Sequence, residues 1–222
     1  MAAAVAAVFL LTGCSAAAGE GDGDVVASPT PTPEPLVVDW PLLSGAMPAD
    51  DAFAEWGWAL SDDPIEPMSP TNCEVVREAG MPATPTLLHE RAWSRDGPRD
   101  DLEERLYVAT RHYAGVPATV VLDAEARVVD CPPAEWEIEE GIIRIHAEAS
   151  ETAADYGDAV LAYRQVYETD YARVHQEGVI IACGEVILAV THTALPERID
   201  PAQLEEWAGI VFDAAEGLEG QC

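Results

Sequence analysis

Five histidines, His89, His112, His146, His175 and His192, are the side chains of this chain best suited to proton transfer or metal ligation near neutral pH. They are scattered, and all five fall in segments that read as strands, where a lone histidine is more often a surface or satisfied core residue than a ligand. His112 beside Tyr113, and His192 between Thr191 and Thr193, are the most suggestive placements. A nucleophilic triad needs a serine beside a base, yet Ser44, Ser61, Ser69, Ser94 and Ser150 lie in no Gly-x-Ser-x-Gly elbow. Glu139-Glu140 and Glu205-Glu206 are adjacent in sequence, so on a helix or strand their carboxylates diverge instead of flanking a glycosidic bond. Asp22-Gly23-Asp24 lacks the remaining ligands of a calcium loop. Trp56 and Trp58, with Trp40 and Trp93 nearby in sequence, either line a groove or fill a core. The residues therefore predict no catalytic site, no metal and no cofactor.

The N-terminus carries a more specific pattern. Val5 to Leu11 is a short apolar run, followed by Leu11-Thr12-Gly13-Cys14, which resembles the lipobox of bacterial lipoproteins. An apolar segment enters the membrane, small residues fit a peptidase, and the Cys14 thiol takes the lipid. The run is too short to span a bilayer, which needs about 20 apolar residues. It reads as a processing signal over residues 1–13, separate from the fold. No Lys or Arg precedes it, so the natural start of translation is expected upstream of Met1. Residues 14–35 then read as a lipidated tether. Ser28-Pro29-Thr30-Pro31-Thr32-Pro33-Glu34-Pro35 favours extended, polyproline-like conformations and cannot build a core. Two or three acyl chains at Cys14 would hold the chain stably at a membrane where one would not.

Residues 36–222 suit one domain. The chain has no lysine and a formal charge of −30, which opposes binding to nucleic acid or anionic headgroups. The charge serves solubility and names no partner. Beyond Cys14, the cysteines Cys73, Cys131, Cys183 and Cys222 are even in number, and in an exported domain they read as two disulfides with three possible pairings. None sits in a Cys-x-x-Cys motif, so redox catalysis and zinc ribbons are unsupported.

These residues must be positioned by an α+β fold. After an apolar entry segment, Leu36 to Leu43, Asp50 or Asp51 caps an expected short helix through Trp58. A Pro-rich loop follows over Asp62 to Thr71, and a short helix is expected around Cys73 to Glu78. His89 to Ser94 and Leu102 to His112 read as strands about an Asp96-Gly97-Pro98 turn. In the second, Leu106, Val108 and Thr110 alternate with Tyr107, Ala109 and Arg111. Pro117 opens a helix whose faces are marked by Val121, Leu122, Glu125, Val128 and Val129, and Pro132-Pro133 ends it. Gly141 to Ala149 and Ala159 to Tyr167 read as strands. Arg173 to Cys183 and Glu185 to His192 form an apolar hairpin around Gly184, with near-continuous runs suited to strands covered on both faces. Asp200, Pro201 and Gln203 give the start of a last helix, with Leu204, Trp207, Val211, Ala214 and Leu218 on one face. The expected architecture is an antiparallel sheet with helices packed mainly on one face.

The same segments carry a family resemblance. Pro41-Leu42-Leu43-Ser44 with Met47-Pro48, the strand from Tyr107 to Tyr113, Val129-Asp130-Cys131-Pro132, Gly157-Asp158-Ala159-Val160, the hairpin from Val179 to Val190 and the helix from Leu204 to Ala215 follow one another in the order of the actinobacterial PknH-like extracellular sensor domains. The chain resembles that family over residues 36–222. The resemblance implies successive disulfides, Cys73 with Cys131 and Cys183 with Cys222. It also implies a non-catalytic lipoprotein on the extracytoplasmic face of the membrane that binds or senses an extracellular ligand or an envelope protein. The alternative is a hydrolase acting on envelope material through an unrecognised site. On the sheet face expected to be open, the candidate contact residues are Tyr107, Arg111, Tyr163 and Tyr167.

Overall fold

A computed structural model describes residues 37–62, 80–97, 103–129, 132–138, 141–194 and 199–218. Its frame is an eight-stranded, wholly antiparallel sheet. The strands are β1 (Ala59–Leu60), β2 (Leu87–Asp96), β3 (Glu103–His112), β4 (Ala134–Ile138), β5 (Gly141–Ser150), β6 (Ala159–Glu168), β7 (Arg173–Cys183) and β8 (Val186–Ala194). Their spatial order is β1-β2-β3-β8-β7-β6-β5-β4, so the β7–β8 hairpin lies at the centre. Among the described residues three α-helices accompany it: α1 (Trp40–Gly45), α2 (Ala118–Val129) and α3 (Pro201–Ala214).

The central hairpin is apolar because it is covered on both sides. Along β8, Val186, Leu188 and Val190 join a core with Leu43, Trp93, Leu106, Val108, Trp207 and Val211, under α1 and α3. Ile187 and Ala189 join a second core with Tyr107, Ala109, Val121, Leu122 and Val129, under α2. Strand side chains alternate between faces, so β2, β3, β6, β7 and β8 each feed both cores. The expectation of helices mainly on one face is thereby corrected. The stripe of α2 (Ala118, Val121, Leu122, Val128 and Val129) is apolar and must be buried, and the α1/α3 face is already filled.

Local signals act as expected at the last helix, whereas the capped helix α1 stands where only an apolar entry segment was expected. Asp200 caps α3 by accepting from the Ala202 N–H at 3.0 Å, with Pro201 at the first helical position. Asp39 caps α1 in the same way through the Leu42 N–H at 3.0 Å. In place of the helix expected up to Trp58 there is a 3-10 turn, Ala54–Trp56, stopped by Gly57 at φ 80°. Strands β1 and β4 were not anticipated. Cys183 is buried and disulfide-bonded. Cys14, Cys73, Cys131 and Cys222 lie outside the described residues, and so do the expected pairings, the lipobox, the tether and the helix around Cys73 to Glu78. No described helix is long and apolar enough to cross a membrane.

Candidate functional site

The two faces of the sheet differ in chemistry. The α1/α3 face is closed by aromatic packing. Phe53 meets Trp93 edge-on at 4.9 Å, and Trp58 meets Trp207 at 5.5 Å. Trp56, Trp58 and Trp93 are therefore parts of, or neighbours to, this core, with no groove between them. Trp40 is half-exposed and stacks on His89 at 5.3 Å. His192 is buried on this face against the rings of Trp58 and Trp207. Its Nε2 lies 3.5 Å from Glu104 Oε2, which also takes a 2.6 Å contact from Arg95 Nη2. Arg95 in turn stacks 4.4 Å over the Trp58 ring. The His192 interaction and, after the opposing effect of burial, Arg95 hold the Glu104 carboxyl below its ordinary range. This cluster has the form of a buried structural ion pair.

The α2 face contains a cavity of about 360 Å³. Its floor is the sheet, its roof is α2, and one wall is the loop carrying Met81, Ala83 and Pro85. Three of the residues expected on a binding face, Tyr107, Arg111 and Tyr163, line it, and Tyr113, Glu90, Glu125, Gln165, Gln176 and Thr191 join them. Register explains the convergence. Tyr107 pairs with Thr191, Thr191 with Gly178, and Gly178 with Tyr163, so these positions form one row across four strands. Arg111 follows Tyr107 at four residues along β3, on the same face. Tyr167 shares the face through its place on β6, but it lies off the cavity wall, with its hydroxyl against Gln165 Nε2.

The face is not open. Tyr107, Tyr163 and Tyr167 are only 3, 9 and 4 % exposed, because α2 covers the β6 side of this face and the loop with Met81, Ala83 and Pro85 the β3 side. The expected open surface is thus an interior cavity. Gly178 makes room for Tyr163: a Cβ there would stand 2.5 Å from Tyr163 Cε1. The Tyr163 ring therefore lies across the strand, and its hydroxyl reaches Thr191 Oγ1 at 3.1 Å and accepts from Gln176 Nε2 at 3.4 Å. Burial raises the pKa of Tyr163, Tyr113 and Tyr167, so these phenols are neutral at physiological pH.

The charged members come from two elements. Glu125 sits in the otherwise apolar stripe of α2, with its carboxylate 4.0 Å from the Arg111 guanidinium. Burial raises the Glu125 pKa, and Arg111 works against that rise. Burial alone would lower the Arg111 pKa, but Tyr113, Glu125, Tyr107 and Glu90 around it more than reverse the effect. Sequence reasoning singled out neither Glu90, Gln165 nor Gln176 for this site. A charged residue inside an apolar helical stripe, as at Glu125, was the available signal. Among the described residues no three His, Cys, Asp or Glu converge as a metal site.

No family model matches the chain, and no curated protein matches it. Among solved structures, the fold is similar to the extracellular domain of PknH from Mycobacterium tuberculosis. The TM-score is 0.53 at 13 % identity, covering 82 % of this chain and 99 % of that one. At this identity the likeness concerns the fold, a predominantly antiparallel α+β arrangement shared with an extracellular domain.

Proposed function

We propose that the chain is a non-catalytic cell-envelope lipoprotein that binds an extracellular ligand in the cavity between α2 and the sheet. The observation that carries this reading is the cavity itself. It is a half-open, mostly apolar pocket, with tyrosines and a few charged groups converging on it, which is the usual make-up of a small-molecule site. The likeness to an extracellular domain supports a place outside the membrane. In this reading residues 1–13 are removed, Cys14 carries the lipid, residues 14–35 are the tether, and residues 36–222 form the sensor-like domain. Cys73 pairs with Cys131, and Cys183 with Cys222. In this reading the lipid-anchored domain acts through an extracellular ligand or an envelope partner.

The test is a thermal-shift screen of small molecules on the purified protein, run beside a broad hydrolase screen. Stabilising hits should be lost in Ala83→Trp, which fills the cavity from its loop wall. Hits that persist in Ala83→Trp would place binding elsewhere. Turnover of an envelope substrate, abolished by substituting one histidine or carboxylate, would replace the binding reading with the hydrolase. Cys14→Ala should release the protein from membranes, and peptide mapping without reduction should show the two successive disulfides. A Cys131–Cys183 peptide would refute that pairing.

A further inference from the structure

We infer that the ligand of this cavity is a small organic amine, with an apolar body of about one ring and a cationic head held at the Glu90–Glu125 end. The inference rests on the cavity being a ligand site and adds the class of molecule it takes.

Charge is the first argument. Glu90, Glu125 and Arg111 are the charged residues on the wall, two carboxylates to one guanidinium. Glu125 lies 4.0 Å from Arg111, and Glu90 is two residues along β2 from Leu88, the partner of Arg111 on β3, so both carboxylates lie at one end of the cavity. One negative charge there is left without a counterpart in the wall. The chain as a whole carries −30, which draws cations toward its surface and repels anions.

Hydrogen-bonding capacity is the second. Glu90 Oε1 and Gln165 Oε1 are buried and have no hydrogen-bond partner among the described residues. Gln165 is fully buried on the cavity wall. Both atoms are acceptors. Among the donors on the same wall, Gln176 Nε2 gives to Tyr163 at 3.4 Å, and Arg111 faces Glu125 at 4.0 Å. Buried polar atoms are ordinarily satisfied, so the vacancy calls for a ligand that donates. An ammonium donates only, and a carboxylate ligand would accept only.

Shape and ring chemistry are the third. Tyr107, Tyr113 and Tyr163 present aromatic rings to the cavity, and aromatic faces attract cations. Val128, Val129, Ile180 and Leu88 offer the apolar remainder. A volume of about 360 Å³ lies at the small end of the usual range for ligand sites, roughly 300–1,000 Å³, and suits a single ring or a short chain.

Three near-isosteric probes separate the possibilities: 2-phenylethylamine, 2-phenylethanol and 3-phenylpropionate. Their binding to the purified protein is read by ligand-observed NMR titration, with Glu90→Gln, Glu125→Gln and Ala83→Trp in parallel. The amine should bind at least tenfold more tightly than the alcohol, and the carboxylate should not bind. Glu90→Gln should remove most of that preference and leave the alcohol unchanged, and Glu125→Gln should act in the same direction. An alcohol or carboxylate that binds as well as the amine overturns the amine assignment and leaves the cavity reading intact. Amine binding undiminished in Ala83→Trp means attraction to the acidic surface and also overturns it. Failure of all three probes to bind sinks the cavity reading together with the inference.

Discussion

Replacing Gly178 with alanine tests the geometry of the candidate site at its most demanding point. The new Cβ would stand 2.5, 2.6 and 2.7 Å from Cε1, Cζ and Oη of Tyr163. Non-bonded carbons prefer about 3.5–4.0 Å, so the ring must shift by about 1 Å. It is not free to do so cheaply, since Tyr163 is buried and its hydroxyl is tied to Thr191 and Gln176. Overpacking of this kind costs about 1–3 kcal/mol, and disturbing a buried hydrogen bond adds about 1 kcal/mol. Alanine recovers roughly 0.5–1 kcal/mol over glycine in a strand. The net loss should be about 2 kcal/mol, or roughly 4–8 °C in Tm for a domain of this size. Urea unfolding followed by tryptophan fluorescence would measure it. In a Tyr163→Leu background the clash is gone, and Gly178→Ala should cost less than about 0.5 kcal/mol, a coupling above about 1 kcal/mol. Equal costs in the two backgrounds, or a single variant within about 0.5 kcal/mol of wild type, would refute the stated packing.

Asp200→Ala should lower stability by about 1 kcal/mol through loss of the α3 cap, seen as a Tm drop of about 2–4 °C, while Asp200→Asn should lose much less. Glu104 has a lowered pKa, so its contribution is present above the ordinary carboxyl value of 4.5 and is lost as pH falls through the lowered value; Glu104→Gln should flatten the acid limb of a stability-versus-pH curve and weaken the protein at pH 7. Glu125 has a raised pKa, so its contribution is present below 4.5 and is lost as pH rises through the raised value; Glu125→Gln should narrow the stability difference between pH 4.5 and pH 7, as read by urea midpoints.

Much of the frame was legible in the sequence because period and punctuation agreed. The alternation from Leu106 to Arg111 and the runs around Gly184 mark β3, β7 and β8. Asp200-Pro201 marks the start of α3. Strand β4 was missed although Ala134-Glu135-Trp136-Glu137-Ile138 alternates, since it follows Pro132-Pro133 directly and is only five residues long. The helix expected before Trp58 was misread because an aspartate followed by apolar residues fits a capped helix and an aromatic-anchored turn equally. Three site residues, Tyr107, Arg111 and Tyr163, lay on the side chosen from alternation, yet their burial was not legible. Burial depends on where α2 docks, and no local pattern in the strands encodes that. The apolar runs of β7 and β8 already implied cover on both faces, which conflicts with helices mainly on one.

The cavity follows from a mismatch in dimensions. Eight strands at about 4.8 Å spacing make a sheet about 34 Å across, whereas a helix of 12 residues is only about 18 Å long. Helix α2 packs over β5 to β8, leaving the β2–β3 part of its face to the loop that carries Met81, Ala83 and Pro85. Small residues are frequent on this face of the sheet, among them Ala92, Ala109 and Ala189, and Ala189 lies on the cavity wall, so the sheet does not rise to meet the roof there. A larger aliphatic side chain at Ala189 would fill part of the gap and add buried apolar area, at no cost visible in strand propensity. The opposite face does close such space, with Phe53, Trp58, Trp93 and Trp207. Two solutions in one sheet, one packed with aromatics and one left hollow and lined with tyrosines, Arg111 and two glutamates, divide the domain into a filled face and a hollow one, the second being the face proposed to bind.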